Sequence, residues 1–413
     1  MRVAFIFADF GHKKFEEDID VVSREFGTFP PLGNGFAAAI AEEAGHETLL
    51  IDAHAERLSP EEVALRLRPF DPQALGFLCT AYMFPDTLRF IRYLKAETGL
   101  PVIVGNIAME LYPRELLSFP EIDYGIIGSA LDALPSLLSA LESGGAMPDA
   151  PGICHKQDGE VVINPPARKG DDFSRLPIPK RDGLPHALYH SAMSKRKNVT
   201  NMVTAKGCPA RCTFCHIHGV PYSARPPEGV VQEMALCHQS FGVREFEIFD
   251  PSFTARPQRI VQVCRGILDR GLDLSFAVRA RVDQVDHELL AWMARAGCAR
   301  ILYGIESGSQ QMLDQMQKGI TLEQIRRAVR MTQQAGIKVI GFFLVGSAGE
   351  TEQTVEETVR FALDLKLEYA QFHKTMPKPG TDLNEQAMAA LGYDFWREYV
   401  LGNITDRRLP APW

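Results

Sequence analysis

Short apolar runs alternate with helical patterns along most of the 413 residues, and this rhythm limits the fold more than any other feature. In the first part the apolar runs occupy residues 3–7, 47–51, 74–78, 102–104 and 124–127, and a helical pattern covers 35–44. Parallel strands need helical crossovers, so this alternation predicts a sheet with helices on both faces. We expect an α/β protein whose residues 1–147 form a doubly wound parallel-sheet domain.

A second strand–helix series fills the C-terminal half. Strands are predicted at 202–205, 245–249, 274–278, 301–305, 338–345 and 369–373, with amphipathic helices at 228–239, 286–296, 322–335 and 352–365. Six such units predict a partial (β/α)6 barrel over residues 200–382, followed by a short C-terminal tail, 383–413. Residues 148–199, rich in Pro, Gly, Asp and Lys, are predicted to be a linker with one hairpin around Gln157-Asp158-Gly159.

Composition narrows the class of protein. The net charge of −8 argues against a nucleic-acid partner, and no apolar run approaches the ~18 residues of a membrane span. Met1-Arg2 leads directly into the first apolar run, so no signal peptide is expected. Five cysteines are scattered in apolar surroundings, which is typical of buried free thiols in a reducing, cytoplasmic setting: Cys79, Cys154, Cys237, Cys264 and Cys298.

The other three cysteines lie together, in the loop that follows the first predicted barrel strand. Cys208, Cys212 and Cys215 are separated by three and then two residues, with no second cysteine pair downstream. Three thiolates suit a four-iron four-sulfur (4Fe-4S) cluster that leaves one iron open. The alternatives are a zinc site completed by His216 or His218, or three unrelated thiols.

Polar residues follow the other predicted barrel strands, at the end of the barrel where such folds bind substrates. They are Asp250, Arg279, Arg281, Glu306 and Ser307, and Gly346 precedes the polar Ser347 after the fifth strand. The alternative for Arg279 and Arg281 is an ion pair with Asp250 or Asp283. In the first domain the corresponding loops start at Ala8, Asp52, Cys79, Gly105 and Gly128.

Residues 200–382 resemble the radical S-adenosylmethionine (SAM) enzymes. The resemblance rests on the cysteine loop with Phe214 before its last cysteine, on Arg279-Ala280-Arg281-Val282-Asp283, on Tyr303-Gly304-Ile305-Glu306-Ser307-Gly308 and on Pro379-Gly380-Thr381. Asp250-Pro251 replaces a frequent Asp-Asp. The resemblance implies that SAM binds the open iron, Phe214 flanks its adenine, and Asp250 and Gly346 also lie at the SAM site. Glu306 and Ser307 would bind its ribose or amino group, and Arg279 or Arg281 its carboxylate.

The first domain resembles the cobalamin-binding domain that precedes many radical SAM domains. The shared motifs are Phe29-Pro30-Pro31-Leu32-Gly33, Gly45-His46-Glu47 and Ile51-Asp52-Ala53. Two loops depart from the family motifs: Gly105-Asn106-Ile107 and Gly128-Ser129-Ala130-Leu131. The resemblance implies cobalamin contacts from Leu32, Gly33, Thr80, Ala81, Tyr82, Gly105, Asn106 and Gly128. No Asp-x-His-x-x-Gly motif occurs, so we expect none of His12, His46 and His54 on cobalt. The alternative is a domain without a cofactor.

Together the two resemblances imply a radical enzyme that acts on a small molecule, with flavodoxin or ferredoxin as its electron donor. Methyl transfer to an unactivated carbon is the leading hypothesis, and cyclisation, rearrangement or oxidation is the alternative. Methylthiolation of tRNA would need a cysteine cluster in the first domain, where Cys79 stands alone. A metal-binding regulatory module is the hypothesis of another class, but such a module does not need Glu306 or Arg279.

Overall fold

The computed structural model describes residues 1–10, 27–166 and 173–405 of the chain. These residues form two compact units, each with an apolar core. The first unit contains residues 1–10, 27–166, 175–193 and 394–405, and the second contains residues 173–174 and 194–393. His12, part of the predicted linker and the end of the predicted tail lie outside the described residues.

The first unit is built on a seven-stranded sheet with the strand order β2-β1-β3-β4-β5-β6-β7. The strands are β1 (Arg2–Phe7), β2 (Glu47–Asp52), β3 (Ala74–Leu78), β4 (Val102–Gly105), β5 (Tyr124–Ile126), β6 (Ile153–Gln157) and β7 (Glu160–Ile163). Strands β1 to β5 run parallel, and β6 and β7 join as an antiparallel hairpin. The doubly wound prediction is confirmed, and the switch in strand order between β1 and β3 opens a crevice at their carboxyl ends.

Helices connect the parallel strands of this sheet: α1 (Leu32–Glu43), α2 (Ala53–Glu56), α3 (Pro60–Leu67), α4 (Phe84–Thr98), α5 (Ile107–Leu111), α6 (Pro113–Ser118) and α7 (Ala130–Ser143). Local sequence explains several boundaries. Ser59 and Glu62 form a capping box around Pro60 at the start of α3. The β1 residues from Val3 to Ile6 are almost fully buried, as expected for a central parallel strand covered on both faces.

Most of the described part of the segment predicted as a linker belongs to the first unit. The predicted hairpin is present as β6 and β7 and extends the sheet. Further along, the Lys180 amide donates to the Gly35 carbonyl at 3.0 Å, and the buried Tyr189 hydroxyl donates to Asp52 at 2.8 Å. The two units therefore divide the chain at other positions than the predicted 147 and 199, because composition signals loop conformation but not the surface to which a loop attaches.

The second unit is built on a six-stranded parallel sheet with the order β15-β14-β13-β12-β11-β8. The strands are β8 (Val199–Met202), β11 (Glu245–Ile248), β12 (Ser275–Ala280), β13 (Cys298–Glu306), β14 (Lys338–Val345) and β15 (Tyr369–Lys374). The helices are α8 (Pro227–Phe241), α9 (Pro257–Asp269), α10 (His287–Arg295), α11 (Gln310–Gln315), α12 (Leu322–Gln334) and α13 (Glu352–Asp364). Chain order and strand order agree, which confirms the partial (β/α)6 barrel.

Two regions of this unit differ from their predicted form. The first barrel strand ends at Met202, and the next short strand, β9 (Ala205–Lys206), pairs with β10 (Ser223–Ala224) in a separate ribbon. The described part of the predicted tail, residues 383–405, contains nearly all of α14 (Asp382–Leu391), in the second unit, and α15 (Phe395–Leu401), in the first. Among the described residues, no helix is long and apolar enough to cross a bilayer.

Candidate active site

The loop between β9 and β10 carries the three clustered cysteines, and its base is tightly constrained. Gly207 has φ +80, and a Cβ at this position would collide with the Pro221 carbonyl oxygen. The Cys208 amide donates to the Val220 carbonyl at 3.2 Å. A glycine is therefore required where the ribbon opens into the loop.

Asp250 supports the start of this loop from the interior. It has no exposed surface, and its carboxylate accepts bonds from the Thr204 amide (2.5 Å), the Thr204 hydroxyl (2.5 Å) and the Ala205 amide (3.0 Å). Burial raises the pKa of Asp250, and these three donors oppose the shift. All three bonds go to the protein, so the structure gives Asp250 a role in holding the loop.

The three cysteines carry free thiols, with Cys212 buried and Cys208 and Cys215 partly exposed. Burial raises the pKa of Cys212, and the positive charges of Lys318 and Arg281 act in the opposite direction. Among the described residues no three His, Cys, Asp or Glu side chains are grouped tightly enough for one metal ion. An iron–sulfur cluster does not need so tight a group, since each thiolate binds a different iron, and nearby cations suit thiolate ligands.

The two histidines considered as zinc ligands behave differently from each other. The His218 Nδ1 atom donates to the Cys215 carbonyl at 2.8 Å, and its Nε2 atom faces the Asp382 carboxylate at 3.7 Å. Burial lowers the pKa of His216. The ring of His218 is thus directed at the loop backbone and at α14.

Glu306 ends β13 in an unusual conformation and is paired with Lys318, to which the sequence analysis assigned no role. Its φ is +66, at a β-bulge where β13 meets β14. Its buried carboxylate accepts from Lys318 Nζ at 2.7 Å, and this ammonium lies 5.9 Å from the centre of the Phe214 ring. A Cβ on Gly304 would meet both Glu306 and Lys318. The pair therefore lies beside the cysteine loop, over a strand position where a side chain would displace it.

The two predicted arginines differ in their partners. Arg281 makes two bonds of 2.9 Å to the Asp283 carboxylate and donates to the Lys318 carbonyl at 3.1 Å. Arg279 stacks over the Phe249 ring at 4.2 Å, and burial lowers its pKa. The ion pair considered as an alternative is present for Arg281, which nevertheless lies against the lysine of the site.

Ser307 and Gly346 are directed elsewhere. The Ser307 side chain is fully buried and shares a hydrogen bond of 3.0 Å with Thr358 on α13. The Gly346 amide donates to the Glu350 carboxylate. Gly346 also lines a cavity of about 590 Å³ at the exit of β14, together with Ser347, Thr351 and Lys374. The structure thus brings together Phe214, Glu306 and Arg281 through Lys318, and it places Ser307 and Asp250 against the protein interior.

In the first unit, the predicted cobalamin residues lie in loops at the carboxyl ends of the strands. Thr80 and Ala81 follow β3, and the chain turns there, since the Met83 amide donates to the Thr80 carbonyl at 3.0 Å. Asn106 follows β4 with φ +76 and ψ −172, a region that favours glycine. The loop therefore keeps a glycine-like backbone although the sequence departs from the family there.

Most of the remaining predicted cobalamin positions are glycines. A Cβ on Gly33, in the first turn of α1, would contact Leu78 at the end of β3. Gly105 ends β4, and Gly128 has φ +74 with its amide donating to Glu110 at 3.1 Å. Leu32 begins α1. These residues all lie at the edge where the first-unit sheet is expected to bind a ligand.

Helix α15 packs on the same side of the first unit. The Tyr399 hydroxyl donates to the Tyr82 carbonyl at 3.3 Å, and the Tyr112 hydroxyl donates to the Asp394 carboxylate at 3.2 Å. Phe395, Trp396 and Tyr399 are buried. Helix α15 therefore supports the loop after β3. Tyr82 and Tyr399 are 317 positions apart in the sequence, so no local pattern could reveal this contact.

Sequence reasoning missed the contacts that the structure gives to Lys318 and His218, because it assigned no role to Lys318 and considered His218 only as a zinc ligand. Lys318 follows a short helix, and nothing local distinguishes it from an exposed lysine. Its burial beside Glu306 depends on a pairing between two loops that are 12 positions apart. Only the three-dimensional arrangement of the strand ends shows that Lys318 lies beside Glu306.

Comparisons with known proteins agree with this geometry. The Radical SAM superfamily matches residues 202–362, and the B12 binding domain matches residues 20–138. An uncharacterized methyltransferase from Pyrococcus horikoshii is 31% identical over 389 residues, which cover 92% of this chain and 83% of the relative. The anaerobic magnesium-protoporphyrin IX monomethyl ester cyclase of Rubrivivax gelatinosus is 28% identical over 87% of this chain and 66% of its own length.

A solved structure shows the same fold. The radical S-adenosylmethionine methyltransferase TsrM from Kitasatospora setae, determined with cobalamin and a [4Fe-4S] cluster bound, matches with a TM-score of 0.75. The match covers 95% of this chain and 75% of TsrM at 20% identity. Both units therefore adopt folds found together in one known enzyme.

Proposed function

The chain belongs to the radical SAM superfamily and carries a B12-binding domain, and from this premise we propose that it methylates an unactivated carbon of a small molecule. When bound, the cluster and SAM supply a 5′-deoxyadenosyl radical, and cobalamin supplies the methyl group. The observation that carries the proposal is the cysteine loop with Lys318, Glu306 and Arg281 beside it. A regulatory metal site has no need for that buried charged group.

Cys208, Cys212 and Cys215 would hold the cluster, and the charges around them suit it. The positive charges of Lys318 and Arg281 act on the Cys212 thiol and favour its thiolate form. The constrained base at Gly207 and the Asp250 bonds keep the loop in place without contributing ligands. The loop would thereby present three thiolates to a cluster.

Lys318, Glu306 and Phe214 would hold SAM. The Lys318 ammonium suits the carboxylate of SAM, and the Glu306 carboxylate suits its amino group. The two side chains already form a bond of 2.7 Å in a buried setting, so ligand groups of opposite charge can insert between them without leaving either charge unpaired. Phe214 offers an aromatic face beside Lys318 for the adenine. Arg281 then acts as support for Lys318 through its bond to the Lys318 carbonyl.

The first unit would hold cobalamin through the loops after β3, β4 and β5. The glycine-like conformation of Asn106 lets the backbone approach a flat ligand at the position where the family has glycine. Thr80 and Tyr82 would face the metal, and no histidine on cobalt is expected. Reducing electrons would come from a small protein such as flavodoxin or ferredoxin.

The alternative outcome is a radical cyclisation, rearrangement or oxidation. Its support is the similarity to the magnesium-protoporphyrin IX monomethyl ester cyclase, which covers 87% of this chain. The two outcomes differ in the fate of SAM. Methyl transfer releases S-adenosylhomocysteine as well as 5′-deoxyadenosine, whereas the alternative releases 5′-deoxyadenosine without S-adenosylhomocysteine.

The test begins with anaerobic reconstitution of the full chain with iron, sulfide and hydroxocobalamin, followed by gel filtration and visible spectroscopy. We expect iron–sulfur and corrin absorbance to elute with the protein, and dithionite with SAM to yield 5′-deoxyadenosine. Replacing Cys208, Cys212 or Cys215 by Ala should abolish both the cluster and 5′-deoxyadenosine. Cys264→Ala, in the apolar core, is the matched control and should retain both. Product formation in any of the three ligand variants contradicts the cluster assignment, and loss of corrin on gel filtration excludes methyl transfer.

A further inference from the structure

The first turn of helix α14 contacts the cysteine loop at two points, one on each side of Cys215. The Leu383 amide donates to the Thr213 carbonyl at 3.1 Å, and the Asp382 carboxylate lies 3.7 Å from His218 Nε2. Thr213 lies between Cys212 and Cys215, and His218 follows Cys215 by three residues. One helix turn therefore contacts the segment that carries two of the three cysteines, Cys212 and Cys215, at two points.

The two peptide groups on either side of the Thr213 Cα are each held by a hydrogen bond. Its amide donates to the Met316 carbonyl at the end of α11, at 3.1 Å, while its carbonyl accepts from Leu383. Because the Cys212–Thr213 and Thr213–Phe214 peptides are both engaged, contacts from two helices hold the backbone between Cys212 and Cys215, in addition to the bond that the Cys215 amide makes to the Cys212 carbonyl. Phe214, the residue beside Lys318, lies in the same short segment.

The second contact runs through His218 to the backbone of a cysteine. Because a carbonyl oxygen only accepts, His218 Nδ1 is the donor to the Cys215 carbonyl at 2.8 Å. The ring then presents Nε2 to Asp382. Asp382 thus lies next to the ring, beyond direct hydrogen-bond distance, while the ring and the His218 amide both donate to the Cys215 carbonyl; outer partners of a metal site can influence its ligands from such positions.

The start of α14 is itself well anchored. The Thr381 hydroxyl accepts from the Asn384 amide at 3.1 Å and donates to the Lys378 carbonyl at 2.7 Å. Thr381, Leu383 and Asn384 are buried. A helix whose first turn is fixed in this way can transmit a rigid constraint, which a frayed helix end could not.

We propose that α14 is a clamp that positions Cys212 and Cys215, with Asp382 as a positioning residue acting through His218. This inference rests on the proposed function, because it concerns the cluster that those cysteines would hold. Hydrogen bonding around the ligand cysteines influences how firmly a cluster is held and how it responds to a bound ligand. The clamp thereby gives the C-terminal part of the chain a role in the cluster site without contributing a ligand.

The backbone half of the clamp is tested with Leu383→Pro against Leu383→Ala. Both variants remove the leucine side chain, but only proline removes the amide that bonds Thr213. Proline is tolerated in the first turn of a helix, and this chain has Pro85 at the same second position of α4. After anaerobic reconstitution of the full chain, we measure the rate of iron release to a chelator and the electron paramagnetic resonance spectrum of the reduced cluster with and without SAM. We expect iron release to be about fivefold faster in the proline variant than in the alanine variant, as one hydrogen bond predicts.

The side-chain half is tested with Asp382→Asn against Glu385→Gln. Each removes one acidic charge from the first turn of α14, and Glu385 is exposed. We expect Asp382→Asn to accelerate iron release about twofold to fivefold, within the range for a partly exposed ion pair, and Glu385→Gln to match the wild type. His218→Asn, which can keep the bond to the Cys215 carbonyl, should release iron more slowly than His218→Ala. These variants keep the clamp testable if the proline variant does not fold.

The outcomes separate the clamp from the proposed function. Equal iron release in Leu383→Pro and Leu383→Ala, or equal effects of Asp382→Asn and Glu385→Gln, overturns the clamp while the wild type still assembles a cluster. A wild-type chain that takes up no cluster overturns the proposed function and the clamp together. A shift of the SAM-bound resonance spectrum in Leu383→Pro, with thermal unfolding equal to that of Leu383→Ala, supports positioning rather than a general loss of stability.

Discussion

Replacing Asp250 by alanine tests whether a buried carboxylate holds the cysteine loop in place. The substitution leaves three donors without their acceptor: the Thr204 amide, the Thr204 hydroxyl and the Ala205 amide. Asp250 is fully buried, so bulk solvent cannot take the place of the lost acceptor. The start of the loop should become locally unstable.

The expected magnitude follows from the number of unsatisfied donors. Each buried donor left without a partner costs about 1–3 kcal/mol, although water entering the new space recovers part of this. Alanine also removes the cost of burying a carboxylate, the cost that raises the pKa of Asp250. We therefore expect a net loss of about 3 kcal/mol from the free energy of unfolding of the second unit. Asp250→Asn keeps an oxygen for the backbone amides and should lose only about 1 kcal/mol.

The assay combines urea unfolding of the full chain with hydrogen exchange of the backbone amides at residues 204 and 205. The exchange measurement is needed because a chain with two units need not unfold in one transition. Asp283→Ala is the control, since it breaks a partly exposed pair with Arg281 and should cost at most about 1 kcal/mol. A loss below about 1 kcal/mol in Asp250→Ala, with unchanged exchange at 204 and 205, would refute this account of the loop.

Three further substitutions probe the two sites. Gly207→Ala should prevent cluster assembly, because its Cβ collides with the Pro221 carbonyl, whereas Gly219→Ala, with φ +69 and open space around it, should retain the cluster measured by iron content. Asn106→Gly should raise the free energy of unfolding by about 1 kcal/mol, because it relieves backbone strain of about 1–3 kcal/mol but also increases the conformational entropy of the unfolded chain. A lower free energy of unfolding in urea would contradict the strained conformation. Lys318→Met should weaken SAM binding at least about tenfold in equilibrium dialysis with unchanged iron content, because a buried carboxylate loses its partner; equal affinity would remove Lys318 from the site.

The features that sequence alone could supply are those set by neighbouring residues. The cysteine spacing and the strands from 74 to 78 and from 338 to 345 depend on short windows, and the structure has both strands with the predicted bounds. The pairing of Glu306 with Lys318, the bond from Leu383 to Thr213 and the burial of Tyr189 against Asp52 each need two segments to meet. Their partners are ordinary residues locally, so no pattern marks them before the fold is known.

Strand geometry separates two residues that the prediction assigned to the same ligand. Successive residues of a strand point to opposite faces, and this alternation, continued past the end of β13, directs Glu306 and Ser307 to opposite sides. The structure places Tyr303 and Ile305 in the core beneath the helices and Ser307 against Thr358 on that same side. Glu306 faces the other way and lies over Gly304, where a side chain would collide with it. The residue that completes the site beside Glu306 is therefore Gly304, which leaves room for Lys318. A substitution of Ser307 should affect the packing of α13 before it affects any bound ligand.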